Sequence, residues 1–216
     1  SGLSPEEWKY AALLGFMLDK LGTLNRSFEE LAKDIDITTG GIAASIKAIC
    51  RRDRSVYPHM CVALRCVDDR LPEGLALMED VLNRADTGNR ARLIQLVRTL
   101  SSLMQSELQD NAFQYAVHRN RSYFRPDAAF LDAATGLGFY DFVMKTARSL
   151  PDGADALSVR LSEVSAKLSQ LMTGFWLTAA LKRSVLPTIH AVSTPPPDPP
   201  VTNRLLGSAT PSAIVA

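Results

Sequence analysis

Histidines, cysteines and carboxylates could support acid-base, nucleophilic or metal chemistry in this chain of 216 residues, but their spacing argues against most of it. The histidines are His59, His118 and His190, and neither H-x-x-E-H nor H-E-x-x-H occurs. The local Cys/His group is His59-x-Cys61-x4-Cys66. On a strand, residues 59 and 61 share one face and residue 66 takes the other, so the three do not converge on one ion without a bulge. Buried or edge thiols and a surface histidine are the better reading. No order of Ser, His and Asp suggests a triad or a nucleophile elbow, so no catalytic residue is assigned. Gly136-Leu137-Gly138 lacks a preceding strand and a following Lys-Ser/Thr, and Gly40-Gly41 precedes a strand instead of a helix. Both read as turns, not anion sites. The run from His118 to Arg125 mixes basic and aromatic residues as a nucleic-acid contact does. On a helix its arginines point to different sides, and the chain carries a net charge of only +1. A solvated helix end whose cations favour the dipole accounts for it better.

Composition agrees with that restraint. Hydrophobic content of 46% and charged content of 22% are ordinary for a globular protein with ample core, and the near-neutral balance offers no field for nucleic acid or an anionic membrane. No apolar run reaches the length of a membrane span. An odd number of irregularly spaced cysteines points to reduced thiols, hence to an intracellular soluble protein of the cytoplasm, mitochondrial matrix or plastid stroma. A start at Ser1-Gly2 without Met is expected of a processed or excised fragment.

The elements that position these residues follow from capping and periodicity. Ser4-Pro5-Glu6-Glu7 supplies a cap, a first-turn proline and a carboxylate three residues on, predicting a helix over about residues 5 to 21, stopped by Gly22. Ser27 and Glu30 form a second capping box. Gly40-Gly41 then opens an alternating strand with Ile42, Ala44, Ile46 and Ala48 on one face. After the charged turn Arg51-Arg52-Asp53-Arg54, residues 57 to 67 alternate again, a second strand antiparallel to the first. Pro72 starts a helix with Leu75, Met78, Val81 and Leu82 inward. One long helix is expected from about Asn89 toward Tyr123, with Leu93, Leu96, Val97, Leu100, Leu103, Met104 and Leu108 as its stripe. Arg125-Pro126 interrupts it. Shorter helices follow at about 128 to 134 and 139 to 149, then an amphipathic one from Ala154 to Met172, and a strand is expected within 175 to 186. The run STPPPDPP at 193 to 200 suits neither helix nor sheet, so residues 187–216 read as a Pro-rich disordered tail.

The stretch from Tyr10 to Ile46 resembles the peptidase family of pitrilysin, insulin-degrading enzyme and the presequence proteases. Gly22-Thr23, Arg26-Ser27-Phe28-Glu29-Glu30-Leu31 and Thr39-Gly40-Gly41 stand in the order found there after an inverted zinc motif, H-x-x-E-H. The motif positions fall on Ala12, Gly15 and Phe16, none of which binds a metal, as in the non-catalytic half of that family. The wording is most similar to the presequence protease and falcilysin branch. Tyr115-Ala116, Pro126 to Ala129 and Gly136 to Phe142 are similar to its associated helical segment, so the likeness covers roughly residues 5 to 170.

The resemblance implies an α+β fold with a small antiparallel sheet packed with helices: 1–86 as part of a peptidase half, 87–186 as the helical associated segment, 187–216 as the tail. It implies that the complete enzyme is a zinc-dependent endopeptidase of short unfolded peptides, that this chain supplies a chamber wall and is inactive alone, and that it needs no cofactor itself. The expected partners are the catalytic half of the same polypeptide and a peptide substrate, with no nucleic acid and no membrane, and self-association of the isolated fragment. The competing reading is a stand-alone helical interaction module without catalysis.

Overall fold

The computed structural model describes the backbone of residues 2–171, 176–182 and 185–192, and the side chains of residues 2–170. Helices α1 (Glu7–Met17) and α2 (Phe28–Thr38) precede the hairpin of β1 (Gly41–Cys50) and β2 (Val56–Arg65). Then come α3 (Leu71–Asn83), α4 (Arg90–Asp110), α5 (Ala112–Ser122), α6 (Pro126–Ala134), α7 (Leu137–Ser149) and α8 (Ala154–Leu171). Strands β3 (Trp176–Lys182) and β4 (Val185–Val192) complete an antiparallel sheet in the order β1-β2-β4-β3. The fold is α+β, as its pattern of elements implies.

The expected Ser-to-Glu pairs form at both helix starts, although α1 begins at Glu7 with Glu6 as its N-cap residue. Ser4 N–H donates to Glu7 Oε2 (2.7 Å) and Glu7 N–H to Ser4 Oγ (3.4 Å). At α2 the reciprocal pair is Ser27 N–H to Glu30 Oε2 (2.9 Å) and Glu30 N–H to Ser27 Oγ (3.2 Å). Helix α1 is the centre of the molecule: Trp8, Ala11, Leu13, Leu14 and Met17 are all buried, more of its circumference than a surface helix hides. It ends at Met17, and a turn closed by Leu21 N–H on the Met17 carbonyl (2.7 Å) replaces its expected last residues.

The hairpin pairs Ile42 with Leu64 and Ile46 with Met60, so the alternating apolar residues of both strands share the face that α1 and α3 cover. The side chains of α8 that face inward, Leu157, Leu161, Val164 and Leu168, are buried against the same core. That core contains residues on both sides of position 86, and Arg92 Nε on α4 donates to the Lys20 carbonyl (2.9 Å).

Several expectations are corrected. The single helix over 89 to 123 is two, broken at Asn111 (φ −119°, ψ 25°), because the apolar stripe that holds α4 ends at Leu108. Helix α5 turns away to lie along α6, buries no residue, and is tied to its neighbour by Arg119 and Asp132 at 3.1 Å. Leu103, expected inward, is exposed. His59, expected at the surface, is buried, and its ring stacks on Tyr57 at 6.3 Å between centroids. Where one strand was expected before residue 186 there are two, and β4 carries the sheet through residues read as the start of the tail. Residues 193–216 lie outside the described residues.

Candidate functional site

Ala12, Gly15 and Phe16 lie three and four apart on α1 and so share one face, the geometry that two ligands and a base of an H-x-x-E-H helix require. That face lines a groove of about 420 Å³ between α1, β1, α4, α5 and α7. Ala11, Ala12, Gly15 and Ala44 form its small-residue floor, with Phe16, Met104 and Phe139 as apolar walls. The polar side chains at its rim are Ser45, Glu107, Tyr115 and Thr135. Burial, and then the negative charge of Glu107, raise the Tyr115 hydroxyl above its ordinary pKa, so it stays protonated and can donate a hydrogen bond.

Gly15 does more than lack a carboxylate. A Cβ there would sit 3.3 Å from the Ala44 Cβ and 3.5 Å from the Met60 methyl, so the residue is the close contact between α1 and the sheet. Any side chain at this position would press on Ala44, which would have to give by a few tenths of an ångström. Among the described residues no three His, Cys, Asp or Glu side chains cluster as metal ligands do. Burial raises the pKa of the Cys61 and Cys66 thiols, the environment of inert cysteines rather than nucleophiles. The groove thus has apolar walls, with the Tyr115 hydroxyl donor and the Glu107 carboxylate at its edge.

The Gly-Thr and Arg-Ser residues of the resemblance belong to a different structure. They form the loop between α1 and α2, which closes on Asp80 of α3. Thr23 Oγ1 donates to Asp80 Oδ2 (3.0 Å), Asn25 Nδ2 to Oδ1 (3.0 Å) and Arg84 Nη1 to Oδ1 (3.3 Å), while Arg26 pairs with Oδ2. The second guanidinium edge of Arg26 reaches Asp34 of α2 at 2.9 Å. Burial pushes the Asp80 carboxyl upward, yet these hydrogen bonds and the charge of Arg26 outweigh it, and the carboxyl lies below the usual carboxylate range. Gly22 is needed because a Cβ would meet the Arg26 carbonyl at 2.8 Å. Leu24 N–H on the Arg84 carbonyl (2.9 Å) and Asp86 N–H on the Gly22 carbonyl (2.8 Å) finish the joint. Asp80 was not foreseen. The available signal was a carboxylate within the inward stripe of α3, between Leu77 and Val81.

In the segment at 118–125, Arg119 and Arg121 stand in the last turn of α5; Arg119 also pairs with Asp132, and Arg125 with Asp127 at 2.9 Å. No helix among the described residues is long and apolar enough to cross a membrane.

Comparison with known proteins places this frame. A family model described as peptidase M16 (subfamily C) associated matches residues 1–145. Protein HypA of Clostridium perfringens (strain 13 / Type A) is 25% identical over 137 residues, covering 62% of this chain and 14% of that protein. The mitochondrial presequence protease of Xenopus laevis is 25% identical over 152 residues, covering 68% of this chain and 15% of that protein. This chain thus spans only about a seventh of either relative's length. The family match takes in the helix-helix-hairpin frame, the Asp80 joint, the groove and most of α7, and on that extent the chain belongs to the family of peptidase M16 (subfamily C) associated regions, as part of a pitrilysin-type peptidase.

Proposed function

We propose that this chain is part of the non-catalytic half of a presequence protease-like zinc endopeptidase, and that the groove over Ala12, Gly15 and Phe16 is a stretch of its chamber wall. The observation that carries this reading is Gly15 packed against Ala44: the helix has the place of a metal helix, but its middle position is given over to contact with the sheet. An apolar groove with Tyr115 and Glu107 at the rim suits side chains of an unfolded peptide, which a wall must hold without cutting. Zinc, the water it activates and the general base belong in this reading to the other half of the same polypeptide. No residue of this chain is assigned a catalytic role.

The test compares the isolated chain with the complete gene product. The complete polypeptide should retain about one zinc per molecule through dialysis and cleave a quenched unfolded peptide, with activity lost to a chelator. The isolated chain should do neither. Within the complete enzyme, filling the groove by Ala12→Phe should raise KM for the peptide while zinc content stays unchanged. Tight zinc retained by the isolated chain, or a complete polypeptide without peptidase activity, overturns the reading.

A further inference from the structure

Strand β1 is an outer strand of the sheet, whose order is β1-β2-β4-β3, so only one of its two edges has a partner strand. Which backbone groups lie on the other edge follows from the hairpin turn. Arg54 N–H donates to the Arg51 carbonyl (3.0 Å) and Arg51 N–H to the Ser55 carbonyl (2.9 Å), so Arg51 and Ser55 face each other as a hydrogen-bonded pair. Bonded and non-bonded pairs alternate along an antiparallel ladder, and the register runs without a shift from Cys50 opposite Val56 to Gly41 opposite Arg65. Ser45 with Cys61 and Lys47 with His59 are therefore bonded pairs, whereas Ala44 with Val62 and Ile46 with Met60 are not. Pro58 agrees with this phase, since it has no N–H to give and stands opposite Ala48 in a non-bonded pair. The N–H and C=O groups of Ala44 and Ile46 point away from β2, and among the described residues no hydrogen bond reaches them.

This unpaired stretch opens on the groove. Ala44, Ser45 and Ile46 all line it, although alternation puts the Ser45 side chain on the opposite face of the strand from its two neighbours. The groove therefore meets β1 at its edge and not over one face alone. Helix α6 also packs against β1, but none of its own residues is on the lining. A bare strand edge is a template for another extended chain, and proteins usually block it with a proline, a lysine, a bulge or a covering helix. Ala44-Ser45-Ile46 carries none of these. Among the described residues the only charged one on the lining is Glu107, and no cation pairs with it.

We propose that the groove holds its peptide as an added strand. An extended segment pairs with the N–H and C=O groups of Ala44 and Ile46, every second side chain enters the groove against Phe16, Met104 and Phe139, and a Lys or Arg of the segment pairs with Glu107. Main-chain hydrogen bonds give such a complex its affinity without regard to sequence, while the pockets read side chains only at alternate positions. Backbone pairing also selects an extended chain over a folded one, whose own backbone groups are already bonded. The proposal deepens the chamber-wall reading and rests on it.

The experiment measures fluorescence anisotropy of a labelled peptide of alternating Leu and Lys on the whole chain. Binding is expected. Methylating every second backbone nitrogen of the peptide removes the donors along one of its edges, so one alternate set should abolish binding and the other should leave it nearly unchanged. Replacing Lys by Glu in the peptide should weaken binding about tenfold. On the protein, Ala44→Pro removes an outward N–H without touching the bonds to β2, and should weaken the unmodified peptide while far-UV circular dichroism stays the same. Ala12→Phe separates the two readings, because filling the groove weakens binding whatever the mode. A loss in Ala12→Phe with equal effects of the two methylated sets would overturn strand addition and leave the chamber wall standing. No loss in Ala12→Phe, or no binding to the chain with or without residues 193–216, would overturn both. Equal binding of the Glu peptide would overturn the pairing with Glu107. Dimers that the peptide dissociates, or binding seen only once residues 193–216 are removed, would overturn the proposal in favour of a second copy or the chain's own last segment as occupant.

Discussion

Two regions of this molecule use buried polar and apolar groups in opposite ways. At the Asp80 joint a carboxylate that is only 6% exposed is surrounded by donors from Thr23, Asn25, Arg26 and Arg84, and the loop between α1 and α2 is held by charge and hydrogen bonds. In the groove, on the α1 that precedes this loop, Ala12, Gly15 and Phe16 present an apolar surface down to its glycine floor. The contrast shows which part of the frame is scaffold. The Gly-Thr and Arg-Ser residues hold elements together, so they serve a chain whether or not a metal sits on the neighbouring helix.

Replacing Asp80 tests the scaffold side and should have the largest effect. Asp80→Ala leaves several donors and the Arg26 charge without their acceptor in a buried site, and should cost about 3–5 kcal/mol in urea unfolding. Asp80→Asn, which keeps the shape and part of the hydrogen bonding, should cost less. Equal and small losses from both would mean that the joint is wetter than its 6% exposure implies.

The groove side is tested by giving it the charge it lacks. Gly15→Glu should destabilise by about 1–3 kcal/mol, because its Cβ meets Ala44 at 3.3 Å and the carboxylate faces apolar walls. Ala12→Glu, which points into the groove, should cost less. Were Gly15→Glu neutral, the close contact between α1 and β1 would not be what keeps a carboxylate out. A smaller loss, about 1 kcal/mol, is expected for Ser27→Ala, which removes one half of the α2 capping box beside the joint. Thermal melts on that variant and on Ser27→Asp, which restores the acceptor, distinguish the cap from a general effect of position 27.

The mildest perturbation is acid. Hydrogen bonds from Lys167 and Ser4 hold the Glu7 carboxyl down at about 2, against an ordinary value of 4.5. A carboxyl whose pKa is depressed by folding stabilises the fold above its unfolded value, and that contribution is lost as pH falls through the folded one. Stability should therefore decline from about pH 4.5 toward about pH 2, and Asp80, whose carboxyl is also depressed, should add to the slope in the same direction. Glu7→Gln and Asp80→Asn should each flatten it when unfolding midpoints are followed against pH, whereas groove variants should leave it unchanged.

Local rules set much of this chain by themselves. Both Ser-to-Glu pairs, the Gly41 strand start, the hairpin faces and the break at Arg125-Pro126 depend on contacts within a few residues, where side-chain type decides the backbone, and they were legible in order. The frame around Ala12, Gly15 and Phe16 was legible as well, because three positions on one helix face depend only on helical periodicity. What the sequence could not determine are outcomes of distant segments meeting. Asp80 is buried because the loop at Thr23 to Arg26, more than fifty residues away, brings it partners. The helix from Asn89 breaks at Asn111 because α6 offers α5 a surface that the end of α4 does not, a choice that helical periodicity in 89 to 123 does not contain. The walls and rim that make Gly15 the floor of a groove exist only once α4, α5 and α7 pack around α1 and β1. In each case the deciding energy is burial or pairing between residues far apart in the chain, and only the tertiary structure brings them together.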